Sequence, residues 1–137
     1  MTQGDRPTGL TKDAGWEIGV RRTLPVERDV LWRRLTGADG LALWLGPGAE
    51  LPANRGDGWR GSDGSTGALR SLETGKLIRL TWHPTEWAEP STLQIRLFEA
   101  RTGTTISFHH ERLTSADRRE EMRTHWAGVI DRLAAMG

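Results

Sequence analysis

Alternating apolar and polar positions predict several β-strands along the chain. In WEIGVRRTL, residues 16–24, every second residue from Trp16 to Val20 is apolar, which is typical of a strand with one buried face. The segments GALRSLET, KLIRLTWH, STLQIRLFEA and TTISFHHERL repeat the pattern and are separated by glycine-containing or proline-containing segments. We therefore expect a run of antiparallel strands in the second half of the chain, each with its apolar side chains on one face. Residues 49–66 are rich in glycine and predict short, irregular strands joined by turns.

Two short helices are predicted after the first strand. In PVERDVLWRRLTG, Leu31 and Leu35 lie four residues apart and form an apolar face. Pro25 suits the first position of this helix, and Gly37 suits its end. The segment DGLALWLG predicts the second helix, which stops before Gly46.

A long amphipathic helix is predicted over residues 116–135. Ser115 or Asp117 can cap its start, and His125 borders its apolar stripe. Gly128 lies inside this helix, where glycine costs about 1 kcal/mol relative to alanine, so we expect close packing there. The stripe itself follows helical spacing and consists of Met122, Trp126, Val129, Ile130 and Leu133.

The order of these elements predicts an α+β fold. A run of hairpin-linked strands with segregated helices has one sheet face to cover, and the last helix is the element long enough to cover it. A curved sheet wrapped on a single helix favours a cavity between the two. Residues 1–14 contain little to bury and predict a flexible N-terminal tail, followed by a single domain over 15–137.

Composition narrows the classes of partner and compartment. The net charge is +1, so nothing argues for a nucleic-acid partner. The chain has no cysteine, which excludes disulfides, thiolate nucleophiles and cysteine-ligated zinc and fits a cytoplasmic location. No apolar run approaches the ~18 residues that a membrane span needs. Seven tryptophans and no tyrosine predict an interior dominated by indole rings.

The segment LTWHPTEW, residues 80–87, combines a histidine with two tryptophans. Trp82 alternates with apolar neighbours and is expected to point inward, which leaves His83 at the surface of a strand end. Pro84 ends the strand, and Trp87 follows in a loop that would lie at a cavity mouth. Core packing and cavity lining remain open for both tryptophans, because both bury apolar area.

The segment HHE, residues 109–111, offers metal-ligating side chains in the wrong geometry. Alternation places His109 and Glu111 on one face and His110 on the other, so adjacent residues cannot reach one ion. We therefore predict no metal and no cofactor, and an ordinary ion pair with an arginine for Glu111. His110 follows the inward residues of its strand and needs a buried hydrogen-bond partner, which a neighbouring side chain or a ligand could supply.

Four segments in the same order carry a resemblance to a known family: LWRRLTGADGLALWLG, IRLTWHPTEWAEPSTLQIRL, TTISFHHERL and REEMRTHWAGVIDRL. Over about residues 16–136 the chain resembles the START-like (SRPBCC) superfamily, in the branch related to the activator of the heat-shock protein 90 ATPase. The resemblance implies a helix-grip (START/Bet v-like) fold, in which a curved antiparallel sheet grips a long C-terminal helix. It also implies an apolar cavity, which in this superfamily takes lipids, sterols, polyketides or plant hormones.

The expected function is binding of a small hydrophobic or aromatic ligand in that cavity. Trp126 would offer its indole N–H to the ligand, Trp44 would close one end, and Trp59 would take an edge or lid position. No catalytic residue is assigned. The candidate cavity-lining residues are Trp44, Trp82, Trp87, Ile95, Phe108, His110, Met122, Trp126 and Ile130.

Two alternative functions remain open. One is a cyclase or aromatase acting on a polyketide-like substrate, with His110 or His125 as acid or base and Glu111 as a residue that orients it. The other is a chaperone-cofactor or other protein-interaction role. A homodimer is compatible with each of the three functions.

Overall fold

The computed structural model describes residues 10–11 and 15–136, and these form one antiparallel sheet with three helices. The strands are β1 (Leu10–Thr11), β2 (Gly15–Leu24), β3 (Gly58–Arg60), β4 (Thr66–Glu73), β5 (Leu77–Trp82), β6 (Ser91–Ala100) and β7 (Gly103–Leu113). The helices are α1 (Arg28–Thr36), α2 (Ala38–Trp44) and α3 (Ala116–Ala135). The predicted α+β helix-grip architecture is confirmed.

The sheet has the strand order β1-β2-β7-β6-β5-β4-β3. Hairpins join β4 to β5, β5 to β6 and β6 to β7, so most neighbours in the sheet are neighbours in the chain. The exception is β2, which pairs with β7 after the chain has passed through α1 and α2. This pairing brings the first long strand beside the last one, and α3 follows directly after β7.

The apolar stripe of α3 packs on one face of the sheet, which we call the inner face. All five residues predicted for the stripe are buried. The helix begins where predicted, because the Ser115 hydroxyl accepts the backbone N–H of Arg118 at 3.1 Å. Trp126 is stacked on Phe108 of β7, with ring centroids 4.9 Å apart, so the helix and the sheet meet through aromatic rings.

The two short helices close one end of this interface. Trp44 donates its indole N–H to the Leu35 carbonyl oxygen at 2.9 Å, which holds α2 against α1. The guanidinium of Arg34 donates to the Leu133 carbonyl oxygen at 3.1 Å. Because the last carbonyls of a helix have no partner within it, this bond satisfies the end of α3 while fixing α1 beside it.

The predicted helical position of Pro25 is wrong, because α1 begins at Arg28 and Glu27 is its N-cap. Residues 25–27 are held in an extended turn instead. Val26 donates its N–H to the Leu24 carbonyl oxygen at 2.8 Å, and its own carbonyl oxygen accepts the Thr104 hydroxyl at 2.7 Å. The contact with the start of β7 keeps this segment outside the helix.

The close packing predicted at Gly128 is also wrong. A Cβ atom built on Gly128 would meet nothing within 4 Å, so no neighbour requires glycine there. The tail predicted for residues 1–14 lies outside the described residues except at Leu10–Thr11. At Leu10–Thr11 the backbone pairs with β2 and extends the edge of the sheet.

None of the helices in residues 15–136 is long and apolar enough to cross a membrane.

Candidate functional site

His110 lies at the centre of a chain of hydrogen bonds that joins α3 to the sheet. Trp126 donates its indole N–H to Nδ1 of His110 at 3.0 Å. Nε2 of His110 lies 2.8 Å from the Ser91 hydroxyl, which donates to the Trp82 carbonyl oxygen at 2.7 Å. Since an indole nitrogen can only donate, Nδ1 must accept, and the ring proton of the neutral imidazole is on Nε2. Every donor in the chain therefore has an acceptor.

The environment of His110 keeps it uncharged. The pKa of His110 is lowered from 6.5 to about 3, mainly by burial and also by repulsion from the nearby His125 and His109. Protonation would place a second N–H opposite the indole N–H of Trp126, where no acceptor exists. The neighbouring side chains thus supply the partners that the sequence required for His110, and both ring nitrogens are engaged.

Aromatic rings occupy the space between the sheet and α3 around this histidine. Trp126 contacts Trp82 at 5.4 Å between ring centroids and Phe108 at 4.9 Å. Trp87 lies nearly parallel to His110, 5.8 Å away at an interplanar angle of 15°. These separations are those of rings in contact. The space between the sheet and α3 around His110 is therefore filled with side chains.

A groove opens to solvent where the aromatic cluster reaches the surface. It lies between the loop after β5 and the first half of α3, and its volume is about 200 Å³. We call it the mouth groove, and its lining residues are Trp82, Pro84, Trp87, Glu121, Met122 and His125. Its wall is mainly apolar, and Glu121 and His125 are its ionisable groups.

The loop that carries Trp87 is held by hydrogen bonds of its backbone and its side chains. His83 donates from Nε2 to the Trp87 carbonyl oxygen at 2.6 Å, which gives His83 the strand-end role predicted for it. The Trp87 N–H bonds to the Pro84 carbonyl oxygen at 3.0 Å. The ring of Trp87 is half-buried and has the Arg118 guanidinium over it, 4.3 Å from the ring centroid.

His125 lies at the rim of the mouth groove, exposed on one side and covered by indole rings on the other. Its ring centroid is 4.6 Å from that of Trp126 and 6.5 Å from that of Trp82. Partial burial lowers the pKa of His125, the charge of Arg132 lowers it further, and Glu121 opposes these effects. The groove thus carries an imidazole whose neutral form is favoured.

The predicted cavity residues fall into two groups in the structure. Trp82, Trp87 and Met122 line the mouth groove. The others are buried away from it, behind the groove or in α2: Trp44, Ile95, Phe108, His110, Trp126 and Ile130. The predicted use of the Trp126 N–H for a ligand is corrected, because His110 accepts it.

Pro84 and Glu121 were missed as lining residues, and His125 was placed in the cavity only for the enzyme alternative. The sequence spacing could have identified Glu121 and His125. Glu121 and His125 are four residues apart and flank the stripe on one side, so helical spacing puts them on the same edge of α3.

The remaining predicted positions take structural roles. Glu111 pairs with Arg79 at 3.1 Å on the outer face of the sheet, which confirms the arginine partner and rules out its predicted role beside His110. His109 faces Glu17 at 3.2 Å on the same outer face. Trp59 lies on the edge strand β3 but is buried, with its N–H directed at the Thr81 carbonyl oxygen at 3.2 Å. Among the described residues, no group of three or more histidine or carboxylate side chains could hold a metal ion.

A family model described as Activator of Hsp90 ATPase homolog 1-like protein matches residues 25–137. The chain belongs to this family. No curated protein matches the chain. The predicted resemblance to the START-like superfamily is therefore confirmed for this branch.

Solved structures of low sequence identity share the fold. CalU16 from Micromonospora echinospora superposes with a TM-score of 0.74 at 19% identity, covering 91% of this chain and 81% of its own. The Aha1 dimer from Colwellia psychrerythraea gives 0.69 at 17% identity, with 86% and 92% covered. DynU16, a protein of the dynemicin biosynthetic locus, gives 0.73 at 17% identity over 86% of this chain. The chain spans 45% of the length of DynU16.

Proposed function

We propose that this chain is a cytoplasmic binding protein for a small apolar ligand that carries an aromatic ring. The observation that supports this is the mouth groove, where two tryptophans, a proline and a methionine surround a volume of about 200 Å³. Small-molecule sites are typically apolar clefts with a few placed polar groups, and Glu121 and His125 supply those groups here. The volume suits a single ring or a short chain.

The side chain of Trp87 is the part of the mouth groove that would move to enlarge it. Its ring is half-buried and lies between His110 on the inner side and Arg118 on the outer side. In this proposal Trp87 turns outward and a planar ligand takes its place over His110. Phe108 and Trp126 then form part of the floor, and the other buried candidates lie behind them.

The first test is native mass spectrometry of protein freshly purified from its own host, followed by extraction of any bound molecule. A bound species of a few hundred daltons supports the proposal and gives the chemical class of the ligand. A mass equal to that of the chain alone contradicts retention of a ligand through purification. The same spectrum separates a monomer from a homodimer, the assembly that the Colwellia relative shows.

The second test uses two alanine variants to determine whether an apolar probe binds in the mouth groove. The uncharged apolar fluorophore N-phenyl-1-naphthylamine is titrated into the protein, into Met122→Ala and into Phe98→Ala. Met122 lines the mouth groove, whereas Phe98 is exposed on the outer face of the sheet. Loss of the methionine wall should weaken binding by about fivefold, and Phe98→Ala should leave it unchanged. Equal effects of the two variants would place the fluorophore elsewhere.

One observation favours a second function, an enzyme that acts on the ligand in the same groove. His125 presents a neutral imidazole at the groove rim, with Glu121 one helical turn earlier, which is the form a general base requires. His110 is excluded from this role by its two hydrogen bonds. His125→Gln should then abolish conversion of the extracted ligand while retaining its binding. Conversion at an unchanged rate would remove His125 from the mechanism.

The chaperone-cofactor alternative has a separate readout. Stimulation of a heat-shock protein 90 ATPase that persists in Met122→Ala would support an interaction role that is independent of the mouth groove.

A further inference from the structure

A second groove lies on the outer face of the sheet, away from α3. Its volume is about 330 Å³. We call it the arginine groove, and it is lined by Arg55, Arg70, Ser71, Arg79, Thr92 and Arg112. The lining residues come from a loop and four different strands. Four of them are arginines, two carry hydroxyl groups, and none carries a carboxylate.

The first of two β-bulges places Arg70 in this groove. In the pairing of β4 with β5, Leu69 is opposite Leu80 and Ser71 is opposite Arg79. Arg70 is therefore the additional residue of β4. A bulge redirects the side chain of its extra residue, and here both Arg70 and Ser71 line the groove.

The second bulge places Arg112 in the same groove from the other side. On β2 the partners change from Trp16 opposite Leu113 to Ile18 opposite His110, so β7 contains one residue more than β2. Arg112 has a φ of 63°, the only positive φ of a non-glycine residue among those described. This conformation costs roughly 1–2 kcal/mol for a residue with a Cβ. Strained residues of this kind are concentrated at ligand sites.

The charge of the arginine groove is largely uncompensated. Arg79 bonds to Glu111 and Gln94, each at 3.1 Å. Arg55, Arg70 and Arg112 make no ion pair with any residue that the structure describes. Like charges held near one another repel. An anion bound between the arginines would be attracted to each of them and would offset this repulsion.

We propose that the arginine groove binds the diphosphate group of a small phosphorylated molecule. Guanidinium groups bind phosphate oxygens through two parallel N–H bonds, and hydroxyl groups on the wall add further donors. The three uncompensated arginines match the two to three negative charges of a diphosphate. The volume is larger than a single phosphate needs and lies within the range of about 300–1,000 Å³ that is usual for small-molecule sites.

This inference is independent of the proposed function of the mouth groove. The two grooves lie on opposite faces of the sheet and share no lining residue. An apolar ligand and a phosphorylated one could therefore be bound at the same time, and failure of either proposal leaves the other intact.

The test is calorimetric titration of the full chain with inorganic pyrophosphate. Arg112→Gly removes the guanidinium while giving glycine to a φ that it adopts without strain, so the variant should fold. Arg70→Gln removes the second bulge arginine. Arg101→Gln is the matched control, because it makes the same charge change at an exposed residue beyond the opposite end of β7.

We expect saturable binding that weakens about tenfold or more in Arg112→Gly and in Arg70→Gln, since each loses a charge-assisted contact, and that stays within about twofold in Arg101→Gln. Orthophosphate should bind more weakly than pyrophosphate. Absence of saturable binding, or equal weakening in all three variants, would overturn the site. Equal affinity for orthophosphate and pyrophosphate would overturn the assignment of a diphosphate.

Discussion

Trp126 donates its indole N–H to Nδ1 of His110 across 3.0 Å, from the middle of α3 to the inner face of β7. This bond determines which tautomer the histidine adopts, because the indole cannot accept. Nε2 of His110 therefore donates to the Ser91 hydroxyl, and the Ser91 hydroxyl donates to the Trp82 carbonyl oxygen. A single donor on the helix thus orients the polar groups of β7, β6 and β5 in the core.

Replacing Trp126 by phenylalanine should raise the pKa of His110. The substitution keeps an aromatic ring but removes the N–H that stabilises the neutral imidazole. The loss of one such bond corresponds to a rise of about one pKa unit from the value of about 3. A titration of the histidine ring signals by NMR measures the change. An unchanged pKa in Trp126→Phe would show that burial alone keeps His110 neutral.

The stability of the protein should fall as the pH is lowered from 6.5. The pKa of His110 is about 3 in the folded state and 6.5 in the unfolded chain, so the unfolded state binds the proton first. The contribution is complete above pH 6.5 and is lost as the pH falls toward 3. Between pH 6.5 and pH 5 the free energy of unfolding should decrease by about 1–2 kcal/mol from this group.

Urea unfolding at a series of pH values measures this dependence, and His110→Gln is its control. Glutamine offers an amide oxygen to Trp126 and an amide N–H to Ser91 without titrating. His125, whose pKa is lowered too, contributes equally to both proteins and cancels in their difference. The same pH dependence in both proteins would assign the loss of stability to other groups.

Ser91 should matter more for stability than its size suggests. Ser91→Ala leaves the Nε2–H of His110 without an acceptor in a buried position, which should cost about 1–3 kcal/mol of unfolding free energy. Ser107→Ala is the control, because Ser107 is on β7 but points to the outer face. Thermal or urea unfolding compares the two, and equal costs would mean that the hydrogen bond contributes nothing specific.

The fold could be predicted from the sequence because each element has a strong periodic pattern. The inward positions of Trp82 and His110 followed from the apolar residues two and four places earlier on the same strands. The bond between Ser91 and His110 could not be predicted, because it depends on the register of β6 against β7, in which Leu93 rather than Ser91 is opposite His110. Local sequence carries no information about that register.

The bulges and the filled interior were beyond sequence reasoning for a similar reason. Arg70 and Arg112 look like ordinary strand residues, and only the pairing of each strand with its neighbour shows that they are additional. The aromatic residues of the inner face were correctly placed there, but whether rings leave a cavity depends on their relative orientation. That orientation is set by contacts between α3, β5 and β7.

Gly128 offers a test of how far the packing of α3 can be improved. Since a Cβ at this position would meet nothing within 4 Å, Gly128→Ala gains helix propensity without a clash and should stabilise the protein by about 1 kcal/mol. Gly40→Ala in α2 makes the same chemical change where the Cβ would lie 1.8 Å from the Arg34 carbonyl oxygen. It should destabilise the protein because that backbone cannot move aside. Denaturant midpoints of the two variants should therefore shift in opposite directions, and a loss of stability in Gly128→Ala would show that helix α3 requires glycine for a reason other than space.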